Sequence, residues 1–327
     1  MQSQIYPWNQ KQWQQITAAF NAGRMPHAVL LQGPKGLGKL DFARALCAFV
    51  LCGKKSESSA CGECHTCKLL RADTHPDYKE VSPKDEGKNI LVDQIRDFCD
   101  FFIYSSQLSS YKAATIHPAD RMNRNAANSL LKTLEEPTRN SLIVLVAEST
   151  TSLPATIRSR CQVLEFSTPE KNQALSWLQS VQGGADNRQE LALSLANYGP
   201  LEALEYLQSD YLSAREEQFS MFEGLRAGKV SATHAAEKLN KKLDRRSLGW
   251  QISWIQDMIK LKMVSESPAI TNYDMIKRLT DISKNISISG LYRYYDKIST
   301  SLGLIDRQAN LQLVLEDLFV SWVYLEK

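Results

Sequence analysis

The stretch Ala28-Val29-Leu30-Leu31-Gln32-Gly33-Pro34-Lys35-Gly36-Leu37-Gly38-Lys39-Leu40 decides the fold. A short apolar run ends in a glycine-rich turn, and beyond Lys39 the positions Leu40, Phe42, Ala43, Leu46, Cys47 and Val50 repeat with helical spacing. Strand, glycine loop and helix, in that order, are the layout of a phosphate-binding loop. In such a loop backbone N–H groups at the helix N-terminus cradle the phosphates and a lysine reaches the outer ones. The full pattern is GxxxxGK followed by Ser or Thr, whose hydroxyl coordinates Mg²⁺. Gly33, Gly36, Gly38 and Lys39 are therefore the candidate nucleotide-binding residues, but Leu40 stands at the hydroxyl position and cannot hold a metal. The loop is degenerate. It reads either as a strand-to-helix turn without a ligand or as a site for weak ATP or ADP binding.

Two further apolar runs, Ala113-Ala114-Thr115-Ile116 and Leu142-Ile143-Val144-Leu145-Val146, flank a helical pattern over 125–136 that stops before Pro137. Strands alternating with helices predict a parallel sheet covered on both faces. In nucleotide hydrolases of this layout a second strand ends in acidic residues that hold the metal and polarise the attacking water. Here that strand runs into His117-Pro118-Ala119-Asp120, with no carboxylate at the first two positions. Asp120 reads as the cap of the next helix, and His117 as a structural strand-end histidine.

The chain has 327 residues and 43% hydrophobic content, enough for two or three domains with their own cores. A net charge of +3 is too mild to require a polyelectrolyte partner. No run approaches the roughly 18 apolar residues of a membrane span. Met1-Gln2-Ser3-Gln4 lacks a signal-peptide layout, so the expected location is the cytoplasm. Four of the seven cysteines are clustered as Cys52-x8-Cys61-x2-Cys64-x2-Cys67. Short spacers let neighbouring thiolates converge on one tetrahedral Zn²⁺, and no catalytic histidine or carboxylate motif surrounds them, which predicts a closed structural zinc site. A redox pair of Cys64 and Cys67, or His65 in place of one thiolate, are the alternatives. Cys47, Cys99 and Cys161 sit among apolar neighbours and read as core fillers.

Beyond Phe166 the character changes. Thr168-Pro169 reads as an N-cap with proline in the first turn, and helical patterns then run to the end. The Gly199-Pro200 break suggests a small helical domain over 167–208 and a separate bundle over 209–327. The bundle's last helix carries Leu311, Leu315, Leu318, Phe319 and Trp322 on one stripe. Trp250 and Trp254, four apart, read as bundle core. The cluster Lys238, Lys241, Lys242, Arg245 and Arg246 reads as a solvated face, with a nucleic-acid contact as the alternative.

Two segments carry a resemblance: Leu130-Leu131-Lys132-Thr133-Leu134-Glu135-Glu136-Pro137 and, one strand later, Leu153-Pro154-Ala155-Thr156-Ile157-Arg158-Ser159-Arg160-Cys161. They resemble the bacterial replicative clamp-loader family of AAA+ proteins, in which the Ser-Arg-Cys triplet marks an arginine finger. The resemblance extends over nearly the whole chain, through His27, His75-Pro76-Asp77, Asp93-Gln94-Ile95-Arg96 and Asn310-Leu311-Gln312-Leu313-Val314-Leu315-Glu316.

It implies an α/β AAA+ (P-loop NTPase-like) domain over 1–166 with a zinc module at 52–67, an all-α lid over 167–208 and an all-α C-terminal collar over 209–327. It further implies a hetero-pentamer with ATPase subunits of the tau/gamma type and a clamp-opening delta subunit. That assembly opens the ring-shaped sliding clamp and places it on primed DNA, as part of the DNA-directed DNA polymerase holoenzyme, a nucleotidyltransferase complex. Arg160 would reach the neighbouring subunit's nucleotide, a task suited to a planar, always charged fork. Arginine fingers elsewhere accelerate phosphoryl transfer by about 10³–10⁵.

Leu201 falls where an active subunit carries a phosphate-sensing arginine. With Leu40 and His117-Pro118 it implies a chain without ATPase activity of its own. Two rivals remain: an ATP-hydrolysing subunit that uses Lys39, and a zinc-dependent DNA-binding module, for which the insertion offers only Lys54, Lys55 and Lys68. On the residues alone, Arg158 and Arg160 read as partners in loop salt bridges.

Overall fold

In the computed structural model, residues 4–85, 88–148, 153–240, 245–263, 269–306 and 310–325 are described. The strands β1 (Ala28–Gln32), β2 (Tyr78–Val81), β3 (Lys112–Ile116), β4 (Ser141–Ala147) and β5 (Gln162–Glu165) form one parallel sheet in the order β2-β3-β4-β1-β5. All seven residues of β4 are buried, as a central strand covered on both faces requires. Side chains alternate across the sheet, so β1 feeds two cores. Val29 and Leu31 pack with Trp13 and Ile16 of α1 (Gln10–Asn21) and with Phe42, Leu46 and Phe49 of α2 (Lys39–Leu51). After the short α3 (His65–Arg71), the opposite face joins Ala28 and Leu30 to Ile95 and Phe98 of α4 (Val92–Phe101) and to Leu130 and Leu134 of α5 (Arg124–Glu135).

The strand order explains where a site can lie. From β1 the chain crosses to the far edge, works back through β3 and β4, and adds β5 on the other side. The carboxyl ends of β1, β3 and β4 therefore meet where the order reverses, which is where open α/β sheets place their ligands.

Two local expectations are corrected. Asp120 does not cap α5; it lies in the 3₁₀ turn Ala119–Arg121, too early in the chain, and its carboxylate accepts from the Glu148 N–H at 3.5 Å. The cap is Asn123, whose Oδ1 accepts from the Ala126 N–H at 2.8 Å. Nor does a helix start at Thr168-Pro169: after α6 (Ala155–Arg158), α7 (Lys171–Gln182) begins beyond them.

The chain divides into two compact units, residues 1–174 with 199–202, and residues 175–198 with 203–327. Among its described residues the second has helices and no strands: the remainder of α7, then α8 (Asn187–Leu195), α9 (Pro200–Gln208) from residue 203 on, α10 (Tyr211–Arg226), α11 (Ala232–Asn240), α12 (Arg245–Met263), α13 (Ile276–Ser283), α14 (Ile288–Asp306) and α15 (Leu311–Val323). Its core is aromatic. Trp254 meets Phe219 and Phe222, and Trp322 stacks on Phe222 with ring centroids 3.9 Å apart. Trp250 packs edge-on against Tyr211, so both tryptophans of α12 are core residues as expected.

The buried Arg215 guanidinium donates to both Asp274 carboxylate oxygens and to Asn272, whose own amide donates to Asp257. Arg226 donates to the carbonyls of Trp322, Val323 and Leu325 at and just beyond the end of α15. Of the basic cluster, Lys238 pairs with Glu217 at 2.8 Å. Lys241 and Lys242, and the side chains of Arg245 and Arg246, lie outside the described residues. No helix among the described residues is long and apolar enough to cross a membrane.

Candidate functional site

The loop between β1 and α2 is packed against its own chain. A side chain at Gly33 would collide with the Phe166 carbonyl oxygen, 2.1 Å from where its Cβ would sit. Gly36 (φ +75°) and Gly38 (φ +76°) need the left-handed conformation, and each meets a neighbour at close range: Glu202 at 2.8 Å and the Tyr6 ring at 2.4 Å from the position of a Cβ. The Gly36 carbonyl accepts from the Leu201 N–H at 3.0 Å, and Lys35 pairs with Glu202 at 3.2 Å. Trp8 Nε1 and Asn9 Nδ2 both donate to the Leu37 carbonyl, and the Tyr6 hydroxyl donates to Asp41 at 3.0 Å.

Lys39 is buried, and its ammonium donates to the Pro34 carbonyl within the same loop at 2.5 Å. Burial lowers its pKa from the usual 10.5 to about 8, against the opposing pull of Glu148, Asp120 and Glu202. Glu148 follows the last residue of β4, and Glu202 lies two residues past Pro200. Neither was foreseen from sequence, although a position at the carboxyl end of a parallel strand is a reason to look there. His117 is held neutral, because burial lowers its pKa more than nearby Glu80 raises it. Among the described residues its Nδ1 makes no hydrogen bond. Glu80 itself is taken by a two-pronged ion pair with Arg44, at 2.9 and 2.6 Å, and by the Tyr78 hydroxyl.

Cys52, Cys61, Cys64 and Cys67 converge, with all four Sγ atoms within 4.8 Å of one another. Neighbouring sulfurs are 3.5 Å (Cys52–Cys61), 3.8 Å (Cys52–Cys64) and 3.9 Å (Cys61–Cys67) apart. Four thiolates at about 2.3 Å from a tetrahedral zinc sit about 3.8 Å from each other. A disulfide needs about 2.05 Å. The cluster can hold a metal ion such as zinc through four thiolates. His65 is not among its donors, and Cys64 and Cys67 are free thiols.

Local hydrogen bonds favour the thiolate at Cys61 and Cys64, whereas burial raises the pKa of Cys52 and Cys67. Burial opposes ionisation of Cys64, but the Thr66 hydroxyl at 3.0 Å and the Cys67 N–H outweigh it and bring its pKa to about 5. Backbone N–H groups of Glu63 and Cys64 lower that of Cys61. The module is tied to the helices beside it. Trp13 Nε1 donates to the Ser58 carbonyl at 2.8 Å, and Asn21 donates to that of Glu57. Lys55 donates to the Val50 carbonyl and lies 4.4 Å over the Phe20 ring.

Arg160 follows α6. Its Nη2 donates to Glu135 Oε1 at 2.5 Å, and its Nη1 donates to the Thr156 carbonyl at 2.8 Å. The salt-bridge reading is thus met at Arg160 and, among the described residues, not at Arg158. A third of the Arg160 side chain nevertheless stays exposed, and Arg158 is exposed.

A five-stranded parallel sheet with a glycine loop behind its first strand, a four-cysteine insertion and a helical C-terminal half define a P-loop-type AAA+ fold. Two family profiles match the chain, "DNA polymerase III, delta subunit" over residues 8–170 and "DNA polymerase III, delta subunit, C terminal" over residues 209–323. Among similar proteins are the DNA polymerase III delta' subunits of Haemophilus influenzae, 34% identical over 96% of this chain and 91% of that one, and of Pseudomonas aeruginosa, 32% identical over 98% of both. The delta' subunit of Escherichia coli is 31% identical over 88% of this chain and 85% of its own length. The chain belongs to the DNA polymerase III delta' subunit family, and so to the machinery of DNA replication.

Two predictions follow from this geometry. Lys39 has a lower pKa folded than unfolded, so between about 8 and 10.5 the unfolded chain binds more protons and stability rises with pH. Replacing Lys39 by Met should stabilise the protein by about 1–3 kcal/mol at pH 7, a gain that shrinks as pH rises through that window. Denaturation across pH checks it, and a loss at pH 7 or a gain that does not shrink contradicts it. For the thiol cluster, reduced purified protein should carry about one zinc per chain. Cys64→Ser should bring the zinc content close to zero and alter Trp13 fluorescence, read as the difference from a Trp13→Phe control. A folded, reduced sample without metal contradicts the assignment.

Proposed function

We propose that this chain is the non-hydrolysing member of a clamp-loader assembly and that it supplies Arg160 to the nucleotide site of a neighbouring ATPase subunit. The observation that carries this is the state of its own loop. Lys39 is engaged by the Pro34 carbonyl, residues 199–202 are bonded to the loop, and Leu40 offers no metal ligand. An enzyme of this class needs a lysine, a hydroxyl and an acidic strand end around Mg²⁺, and two of the three are missing. Gly33, Gly36, Gly38 and Lys39 then keep the turn and its packing; nucleotide bound without turnover is compatible with this reading.

Arg160 has the attributes of a residue that acts in trans: a permanent charge, a partly exposed fork and a place at a loop end rather than in the chain's own glycine loop. The C-terminal part, 209–327, would form the collar that joins this chain to tau/gamma-type ATPase subunits and a delta subunit in a hetero-pentamer. That assembly would load the sliding clamp onto primed DNA. The thiol cluster would hold Zn²⁺ as a structural staple. The DNA-binding alternative for that module loses support because Lys55, one of its three lysines, is spent on Val50 and Phe20.

The test is DNA-stimulated ATP hydrolysis by the reconstituted assembly, with equal assembly checked by size. Arg160→Ala should lower the rate about tenfold or more. The unaltered chain alone should show no Mg²⁺-dependent turnover. An unchanged rate with Arg160→Ala removes the finger, and turnover by the isolated chain restores the ATPase reading.

A further inference from the structure

Glu135 sits at a place that helix electrostatics disfavours. It is the last residue of α5, where the helix dipole presents its negative end and a carboxylate is repelled. The residue is 48% exposed and pairs with an arginine that is 33% exposed, and ion pairs of that exposure add little to stability. Neither the helix nor the fold gains enough from this carboxylate to account for its position. A local rule broken without a stability gain points to a role at a site.

What Glu135 does in the structure is hold a guanidinium. Arg160 is gripped from two sides, Nη2 by the Glu135 carboxylate and Nη1 by the Thr156 carbonyl. With a longer contact from Nη1 to the Ser159 hydroxyl at 3.4 Å they use three of the five N–H donors and fix the plane of the fork; two donors are left for a second acceptor. A long flexible arginine would otherwise search many rotamers before meeting a phosphate. The two anchors belong to different elements, the end of α5 and α6, so the direction of the fork is set by the packing of one element on the other.

We propose that Glu135 is a positioning residue for Arg160, orienting its guanidinium before it engages the terminal phosphate of a nucleotide on a neighbouring subunit. This rests on the reading of Arg160 as a finger supplied in trans. Glu135 touches no substrate and acts through Arg160 alone. The amide oxygen of a glutamine can accept the same hydrogen bond, so geometry rather than negative charge is the quantity that matters.

The experiment is a double-mutant cycle in the reconstituted assembly, reading kcat and KM for ATP. The variants are Glu135→Ala, Glu135→Gln, Arg160→Ala and Glu135→Ala with Arg160→Ala, all checked for equal assembly. Glu135→Ala should lower kcat about three- to tenfold with KM unchanged, and Glu135→Gln should retain most of the rate. In the Arg160→Ala background, Glu135→Ala should have no further effect. The proposal is overturned if Glu135→Ala costs the same factor with and without Arg160, or if it leaves kcat intact while Arg160→Ala does not. Should Arg160→Ala itself leave the rate unchanged, the finger reading falls and takes this proposal with it, a pattern distinct from failure at Glu135 alone.

Discussion

The loop behind β1 has no room to spare, and much of the first unit is arranged around that fact. A carbonyl oxygen lies 2.1 Å and an aromatic ring 2.4 Å from where two of its glycines would carry a Cβ. Tyr6, Trp8 and Asn9 on one side and residues 199–202 on the other all bond to or press on the same few backbone groups. Packing alone is enough to require glycine at positions 33, 36 and 38. Its lysine is kept at a cost, because burial works against the ammonium and the Pro34 carbonyl is a weaker partner than a phosphate.

A second tie runs through the cysteine insertion. Trp13 and Asn21 of α1 donate to its carbonyls, and Lys55 reaches back to the end of α2 while lying over Phe20 of α1. The thiol cluster is thereby coupled to the two helices that cover one face of β1. A metal held by these thiolates would fasten a polar excursion that has few apolar side chains of its own, which is how small metal modules gain their order.

How much of this was legible in the sequence depended on distance along the chain. The strand, loop and α2 were visible because their signal is local, and the four cysteines because their spacing is short. The parallel sheet followed from strands alternating with helices, and the aromatic core of the second unit from the spacing of Trp250 and Trp254. The short edge strands β2 and β5 carry too few apolar residues for periodicity to register. Asp120 was misjudged because Asn123, three residues later, competes for the same helix end and has the better geometry. The closing of the loop by Tyr6, Leu201 and Glu202 was beyond reach, since those contacts span between 30 and 170 residues of chain and leave no pattern in any window. Glu135 belongs with them: its motif was visible, but its grip on Arg160 exists only once α5 and α6 are packed.

The account holds that this chain contributes to phosphoryl transfer through Arg160 and not through Lys39. The most direct measurement is the structure of the assembled complex with Mg²⁺, ADP and a metal-fluoride mimic of the transferring phosphate at the adjacent ATPase site. The account predicts Arg160 nitrogens about 3 Å from the mimic, with this chain's own loop still bonded to residues 199–202. An Arg160 that remains more than about 6 Å from the mimic in a closed neighbouring site, or a Mg²⁺-bound nucleotide poised for attack on this chain's own Lys39, would contradict it.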